Sequence, residues 1–297
     1  MTFCRFPHNL ALALYPWARR YNAEHSRSSA RITVHHIATD WILERGTAGL
    51  NLRVASSLRR EDRRMIEPLH FLTFGPHPDD AEIGTGAFLL KMKNLGYRTG
   101  MVILTEGEMG SGTPEIRREE TRRAARDLKL DVIETLDMGD TRLEDSHANR
   151  LTVASVVRKY RPRIVLAPYY GIEPSRGRGH SDHITCGHLV THGVNFAHLE
   201  KYPAEGPPHV VKKMLYYFLP PFMKPTFIVP VDDEFPQAIQ ALANHKSQFD
   251  RPDRPKFFPT RLEANASYQG AQIGAKFGQS FYVQEPLKIE DPLLLLG

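Results

Sequence analysis

The sequence predicts an α/β fold: a Rossmann-like, mostly parallel sheet with helices on both faces, in a single catalytic domain. Three observations predict it. Apolar runs of strand length alternate with amphipathic stretches from residue 66 onward, the pattern of repeated βαβ units. Helix stops and turn residues fall between them, Gly96 being one. The residues best equipped for chemistry stand where strands give way to helices: His77-Pro78-Asp79-Asp80, and about a hundred residues on, His180-Ser181-Asp182-His183. Parallel α/β sheets build their sites at that carboxyl edge.

Leu69 to Phe74 reads as the first strand, over about 68–74. A helix follows over about 81–95, with Ile83, Ala87, Leu90 and Leu95 on one side and Gly96 as its stop. Met101 to Leu104 is the second strand, and Thr105 to Gly112 a glycine-rich loop. Thr113 or Pro114 opens an Arg/Glu-rich helix that runs to about Leu128. Val132 to Leu136 is a third strand, Asn149 to Tyr160 a helix, and Ile164 to Ala167 a short buried strand. A long loop over 168–179 leads to a helix from His183 to Leu199. Met214 to Leu219 and Phe227 to Val231 read as later strands, followed by helices at about 233–247 and 259–275. No glycine spacing suits a nucleotide: Gly84-Thr85-Gly86 lacks the third glycine, and no phosphate-loop lysine follows.

The two clusters offer His and Asp ligands for a metal, with acid and base groups to spare. A catalytic zinc typically takes about three protein ligands and leaves one place for water, whose pKa it lowers toward about 7. Pro78 stiffens the first turn. Asp79 and Asp80 are adjacent, so one carboxylate can reach a metal while the other faces the attacking water. His180 and His183 are spaced i, i+3 and share one side of a helix start. One can ligate; the other, if protonated, can stabilise an oxyanion or protonate a leaving amine. Asp182 can hold an imidazole in its tautomer. The bland alternative for Asp79-Asp80 is a helix N-cap, with Glu82 in the first turn.

These residues resemble the LmbE-like (PIG-L) zinc deacetylase family. The first motif reads Pro76-His77-Pro78-Asp79-Asp80-Ala81-Glu82-Ile83-Gly84, and the distal one is His180 to His183. Leu104 to Arg117 is similar to the family's second loop and following helix, and His245-Lys246-Ser247-Gln248-Phe249 to its late SQF segment. Tyr268 to Pro292 resembles the tail of the bacillithiol-pathway branch, which deacetylates N-acetylglucosaminyl-malate. The resemblance covers about residues 66–295 and implies these roles. His77, Asp80 and His183 hold one zinc ion, with iron as the other candidate metal. Asp79 is the general base. His180 faces the tetrahedral intermediate and Asp182 orients it. Arg117 contacts the sugar or its acidic aglycone, and Glu108 binds sugar hydroxyls; as a bare helix residue Arg117 would be a solvated charge. Two departures stand out: Ser181 replaces the usual proline, and Gln279-Ser280 stands where a Glu-Pro pair is common. The implied partner is a small amino-sugar substrate, and the family analogy implies a homo-oligomer.

Composition bounds the rest. No stretch approaches the 18 or so apolar residues of a membrane span. Cys4 and Cys186 are the only cysteines, too few for a disulfide framework, which suits a cytoplasmic protein. The net charge of +5 sits at one end: residues 1–64 hold 11 Arg, no Lys and 5 acidic residues. That shift sets a boundary between a basic extension, 1–64, and a deacetylase domain, 65–297. The extension reads as disordered or as upstream codons taken for protein, against an ordered accessory piece or a targeting segment. Three functions follow in order: a zinc deacetylase of N-acetylglucosaminyl-malate or of another acetylated amino-sugar conjugate, such as a glucosaminyl-inositol or an antibiotic intermediate; a metal-holding, sugar-binding protein without turnover; and a nucleic-acid module resting only on the basic first 64 residues. No nucleic-acid or membrane partner is expected for the catalytic part.

Overall fold

The computed structural model describes residues 67–172, 180–250, 258–291 and 293, together with three strands before them. Two compact units divide the chain at Met65 and Ile66. In the first, β1 (Ile32–His36), β2 (Thr39–Gly46) and β3 (Gly49–Val54) form a three-stranded antiparallel sheet in the order β1-β2-β3. The remainder of the basic extension lies outside the described residues.

The second unit is built on a five-stranded sheet in the order β6-β5-β4-β7-β8, parallel throughout. Its strands are β4 (Phe71–Gly75), β5 (Thr99–Ile103), β6 (Val132–Thr135), β7 (Ile164–Pro168) and β8 (Lys213–Tyr217). Its helices are α1 (Asp80–Asn94), α2 (Pro114–Asp127), α3 (His147–Tyr160), α4 (Ser181–Ala197), α5 (Glu234–Leu242), α6 (Lys246–Phe249) and α7 (Phe258–Ala271). The central strands read as continuous apolar runs because both faces are covered. Phe71, Met101, Ile103, Leu166 and Leu215 point into one core with Phe88, Leu128 and Ala238. Leu72, Phe74, Val102 and Val165 point the other way, against Val153 and Val157 of α3 and Leu189 and Val190 of α4. The period-2 alternation thus sorts each strand between two cores.

The local signals acted as expected. The Thr113 hydroxyl accepts from the Ile116 N–H at the start of α2, with Pro114 in the first turn. Gly96, at φ 86°, stops α1. Three differences have physical causes. The helix expected at 233–247 breaks in two, because the chain turns at Ala243 to His245 and buries His245 completely. The helix expected at 259–275 ends at Ala271, before Gly274 at φ 73°. A further strand, β10 (Gly278–Phe281), pairs antiparallel with β9 (Phe227–Pro230) outside the main sheet. At only 4 residues, two of them Gly278 and Ser280, β10 carries no strand signal of its own.

β10 also reaches into α1. The Gln279 side-chain amide accepts from the Phe88 N–H at 2.6 Å and donates to the Gly84 carbonyl at 3.2 Å. Those two backbone groups are partners four residues apart in a regular helix. Gly84 itself must be glycine: a Cβ there would lie 2.2 Å from the Tyr217 ring.

Candidate active site

Successive units run outward from β4 through β5 to β6, and the chain then returns to place β7 on the other side of β4. The carboxyl ends of β4 and β7 therefore flank the topological switch point, where open α/β sheets leave a crevice. His77 to Asp80 follow β4, and His180 to His183 open α4 after β7. The fold thus brings together two motifs about a hundred residues apart.

His77, Asp80 and His183 converge. Asp80 Oδ2 is 2.9 Å from His77 Nδ1, and Asp80 Oδ1 is 3.2 Å from His183 Nε2. The three donor atoms form a cluster fit to hold a metal ion. Two imidazole nitrogens and one carboxylate oxygen make the donor set that zinc accepts, and Fe(II) accepts it too. Charge favours a cation here. Burial opposes ionisation of Asp80, yet the charges of His183 and His77 hold its carboxyl far below the usual range. Burial also opposes the His77 imidazolium, but hydrogen bonds to Asp140, Asp182 and Asp80 push its pKa up to about 12. So many carboxylates around one ring make a site that attracts positive charge.

Asp79 occupies the N-cap position of α1 but caps nothing: its side chain makes no cap hydrogen bond, and its backbone sits at φ 105°. The N-cap explanation of the Asp-Asp pair therefore fails. A non-glycine residue held in that region costs about 1–3 kcal/mol and is characteristic of working sites. Burial and the adjacent Asp80 charge push the Asp79 pKa up to about 7, against the pull of His245 and Arg117.

Arg117 is 3 % exposed, so it is not a solvated helix charge. Nη1 donates to the Gly107 carbonyl at 2.7 Å, Nη2 donates to the Pro78 carbonyl at 2.8 Å, and Nη2 lies 3.9 Å from Asp79 Oδ2. The guanidinium thus knits the second loop to the first motif. Gly107, at φ 67°, leaves it room: a Cβ there would lie 1.9 Å from Nη1. Glu108 is turned inward too, accepting from the Asp140 N–H at 2.8 Å with Arg142 at 3.5 Å. Its Oε1 is thus engaged within the protein, whereas Oε2 is buried without a partner among the described residues.

Asp182 is also placed differently from expectation. Its Oδ2 lies 3.1 Å from His77 Nε2 but 4.0 Å from His180 Nδ1, so it orients the first-motif histidine rather than His180. His180 is the N-cap of α4, and its Nδ1 accepts from the Asp182 N–H at 3.3 Å. An accepting Nδ1 leaves the proton of the neutral ring on Nε2. The ring stands edge-on to His77, centroids 4.9 Å apart.

Sequence reasoning assigned no site role to three neighbours. Asp140, after β6, places Oδ1 3.1 Å from His77 Nε2; its signal was a Gly-Asp-Thr turn at the same sheet edge. Phe218, at φ 57° after β8, stacks on His183 at 5.4 Å and 14°. His245 pairs with Glu82 at 3.0 Å, both side chains buried. Histidines 188, 192 and 198 are not among the donor clusters, and His192 pairs with Asp145. Cys186 is a buried thiol whose pKa burial pushes up. A cleft of about 1320 Å³ opens beside Asp80, His180 and His183 and extends past Phe218 and Phe222 to Arg261, Asn265 and Gln269 of α7.

A parallel α/β sheet with a His/Asp/His cluster and an uncapped carboxylate at its switch point defines a metal-dependent hydrolase. The family model described as PIG-L, GlcNAc-PI de-N-acetylase, matches residues 72–194. A diacetylchitobiose deacetylase of Thermococcus kodakarensis is 30 % identical over 239 residues, 75 % of this chain and 87 % of that protein. A 1D-myo-inositol 2-acetamido-2-deoxy-alpha-D-glucopyranoside deacetylase of Saccharopolyspora erythraea is 27 % identical over 241 residues, 63 % of this chain and 86 % of that protein. The solved structure of a conserved protein of Thermus thermophilus superposes with a TM-score of 0.67 at 34 % identity, over 74 % of this chain and 97 % of that one. The chain belongs to the PIG-L (LmbE-like) family of deacetylases, whose reaction is the hydrolysis of an amide.

Proposed function

We propose that the protein removes the N-acetyl group from an N-acetylglucosaminyl conjugate, with His77, Asp80 and His183 holding one zinc ion. The observation that carries the reading is the convergence of those three donors beside an Asp79 that neither caps its helix nor ligates. That carboxylate has no evident use in a protein that merely holds a metal. A bound divalent ion supplies Lewis acidity, polarising the acetamide carbonyl and acidifying the attacking water. Asp79 accepts the proton of that water on its carboxylate, for which a pKa near neutrality is suited. His180 presents Nε2–H toward the oxyanion. The departing amine takes its proton from Asp79, which received it from the water, or from His180 in its imidazolium form. Arg117 holds the two loops together and sets the wall of the site on which the sugar rests.

For the aglycone we propose malate, because Arg261 places an exposed cation on the outer wall of the cleft. A second amino sugar is the other reading, supported by a cleft of about 1320 Å³ and by the relative that acts on diacetylchitobiose. We further propose that 65–297 is the deacetylase domain and folds without 1–64, and that the enzyme is a cytoplasmic homo-oligomer. Among the described residues no helix is long and apolar enough to cross a membrane.

The test is acetate release by the zinc-loaded full chain from four substrates: N-acetylglucosaminyl-malate, diacetylchitobiose, the inositol conjugate and free N-acetylglucosamine. The malate conjugate is expected to give the highest kcat/KM. Preference for diacetylchitobiose establishes the second reading. Absence of turnover on all four, in folded protein with one bound metal, overturns the deacetylase assignment.

A further inference from the structure

The outer nitrogen of His77 faces two carboxylates. Asp140 Oδ1 and Asp182 Oδ2 each lie 3.1 Å from Nε2. Both acids are buried, at 5 % and 2 % exposure. Each is itself held by a backbone donor from another segment. The Met109 N–H donates to Asp140 Oδ2 at 3.0 Å, and the Thr141 N–H donates to Asp182 Oδ2 at 2.8 Å. The Asp140 N–H is in turn fixed by Glu108 at 2.8 Å. Four segments therefore meet at one imidazole: the first motif, the second loop, the turn after β6 and the start of α4.

The turn after β6 is bent to make this possible. Gly139 and Thr141, on either side of Asp140, have φ of 81° and 62°. Thr141 is β-branched and disfavours that region, at a cost of about 1–3 kcal/mol. The strain has a local return: the bend aims the Asp140 carboxylate at His77 and the Thr141 N–H at Asp182.

We propose that Asp140 is a positioning residue: with Asp182 it captures the Nε2–H of His77, which fixes the tautomer and turns Nδ1 toward Asp80 and the metal. This rests on the metal-site reading above. A histidine ligand that donates its other N–H to a carboxylate is held in orientation and is the more basic for it. Here two carboxylates share one N–H, so either alone retains part of the hold. The pair acts redundantly, and its loss is steeper than the loss of its members.

The test uses the full chain and reads the metal directly. Zinc affinity is measured by chelator competition, and the Co(II)-substituted protein by its visible spectrum, for wild type, Asp140→Asn, Asp182→Asn and the double variant; kcat and KM follow. Each single variant is expected to bind zinc about 10-fold more weakly. The double variant should lose more than the product of the singles, with an altered Co(II) spectrum and an unchanged KM in Asp140→Asn. If Asp140→Asn keeps wild-type zinc affinity and spectrum while KM alone rises, Asp140 is a substrate contact and the inference is wrong. If Asp140→Asn does not fold, Asp140→Glu replaces it: a displaced carboxylate weakens zinc on this inference and leaves it untouched on the rival. A wild type that binds no zinc overturns the metal-site reading itself, whereas a wild-type-like Asp140→Asn overturns only the positioning role.

Discussion

At the scale of single residues, the division of labour between Asp79 and Asp80 follows from geometry more than from type. The same carboxylate stands twice in a row. Asp80 is pinned between two imidazoles, while Asp79, at φ 105°, is turned toward Arg117. Replacing Asp79 with Asn is expected to lower kcat by about 10²–10⁴-fold with KM little changed, the signature of a lost proton acceptor. Steady-state kinetics on the preferred substrate checks this, and an equal loss in binding would remove Asp79 from the base role. In the proposed role the working form of Asp79 is the ionised carboxylate. Rates should therefore fall as pH drops through its pKa, raised to about 7 by burial and by Asp80. A bound cation lowers that value, which puts the acid limb of kcat/KM at or below about 7. Much of this was legible in the chain, since Asp and His types in this spacing admit few uses. The partner of Asp182 was not. Sequence adjacency suggested His180, but α4 carries Asp182 inward to His77.

At the scale of elements, the sheet and its helices were readable because the central strands are apolar on both faces and helices such as α1 and α2 start or stop on a recognisable residue. Legibility failed where tertiary contacts overrode local preference. His245 buries against Glu82 and breaks a helix, and Gln279 fixes β10 by bonding to α1. Two predictions belong here. Gly84→Ala would press a methyl into the Tyr217 ring, so thermal melts should show destabilisation of about 1–3 kcal/mol or failure to fold. Asp145 ties the first turn of α3 to α4, meeting Arg150 at 2.6 Å and His192 at 2.8 Å. Burial opposes its ionisation, but those partners hold its pKa below the usual value of 3.8. Its contribution is present above pH 3.8 and is lost as pH falls through the folded value. The gap between wild type and Asp145→Asn in urea unfolding should be under about 1 kcal/mol at pH 7, the pair being partly exposed, and should narrow as pH falls below 3.8.

At the scale of the whole molecule, the site is held by parts drawn from most of the catalytic unit, so metal binding and folding are coupled. Zinc at about 100 times its Kd should add about 2.7 kcal/mol to stability, read as a rise in Tm that a chelator reverses. A truncated chain of residues 65–297 should show the same shift and full activity; loss of either would make the basic extension part of the enzyme. The amide of Gln279 carries a consequence for biosynthesis. It bridges a rung of α1, the helix that begins with Asp80, from 191 residues downstream. At about 5–20 residues per second, ribosomes emit that strand on the order of ten to forty seconds after the helix. A nascent chain therefore presents α1 before its Gln279 partner exists, and the contacts on that helix are complete only once β10 has docked.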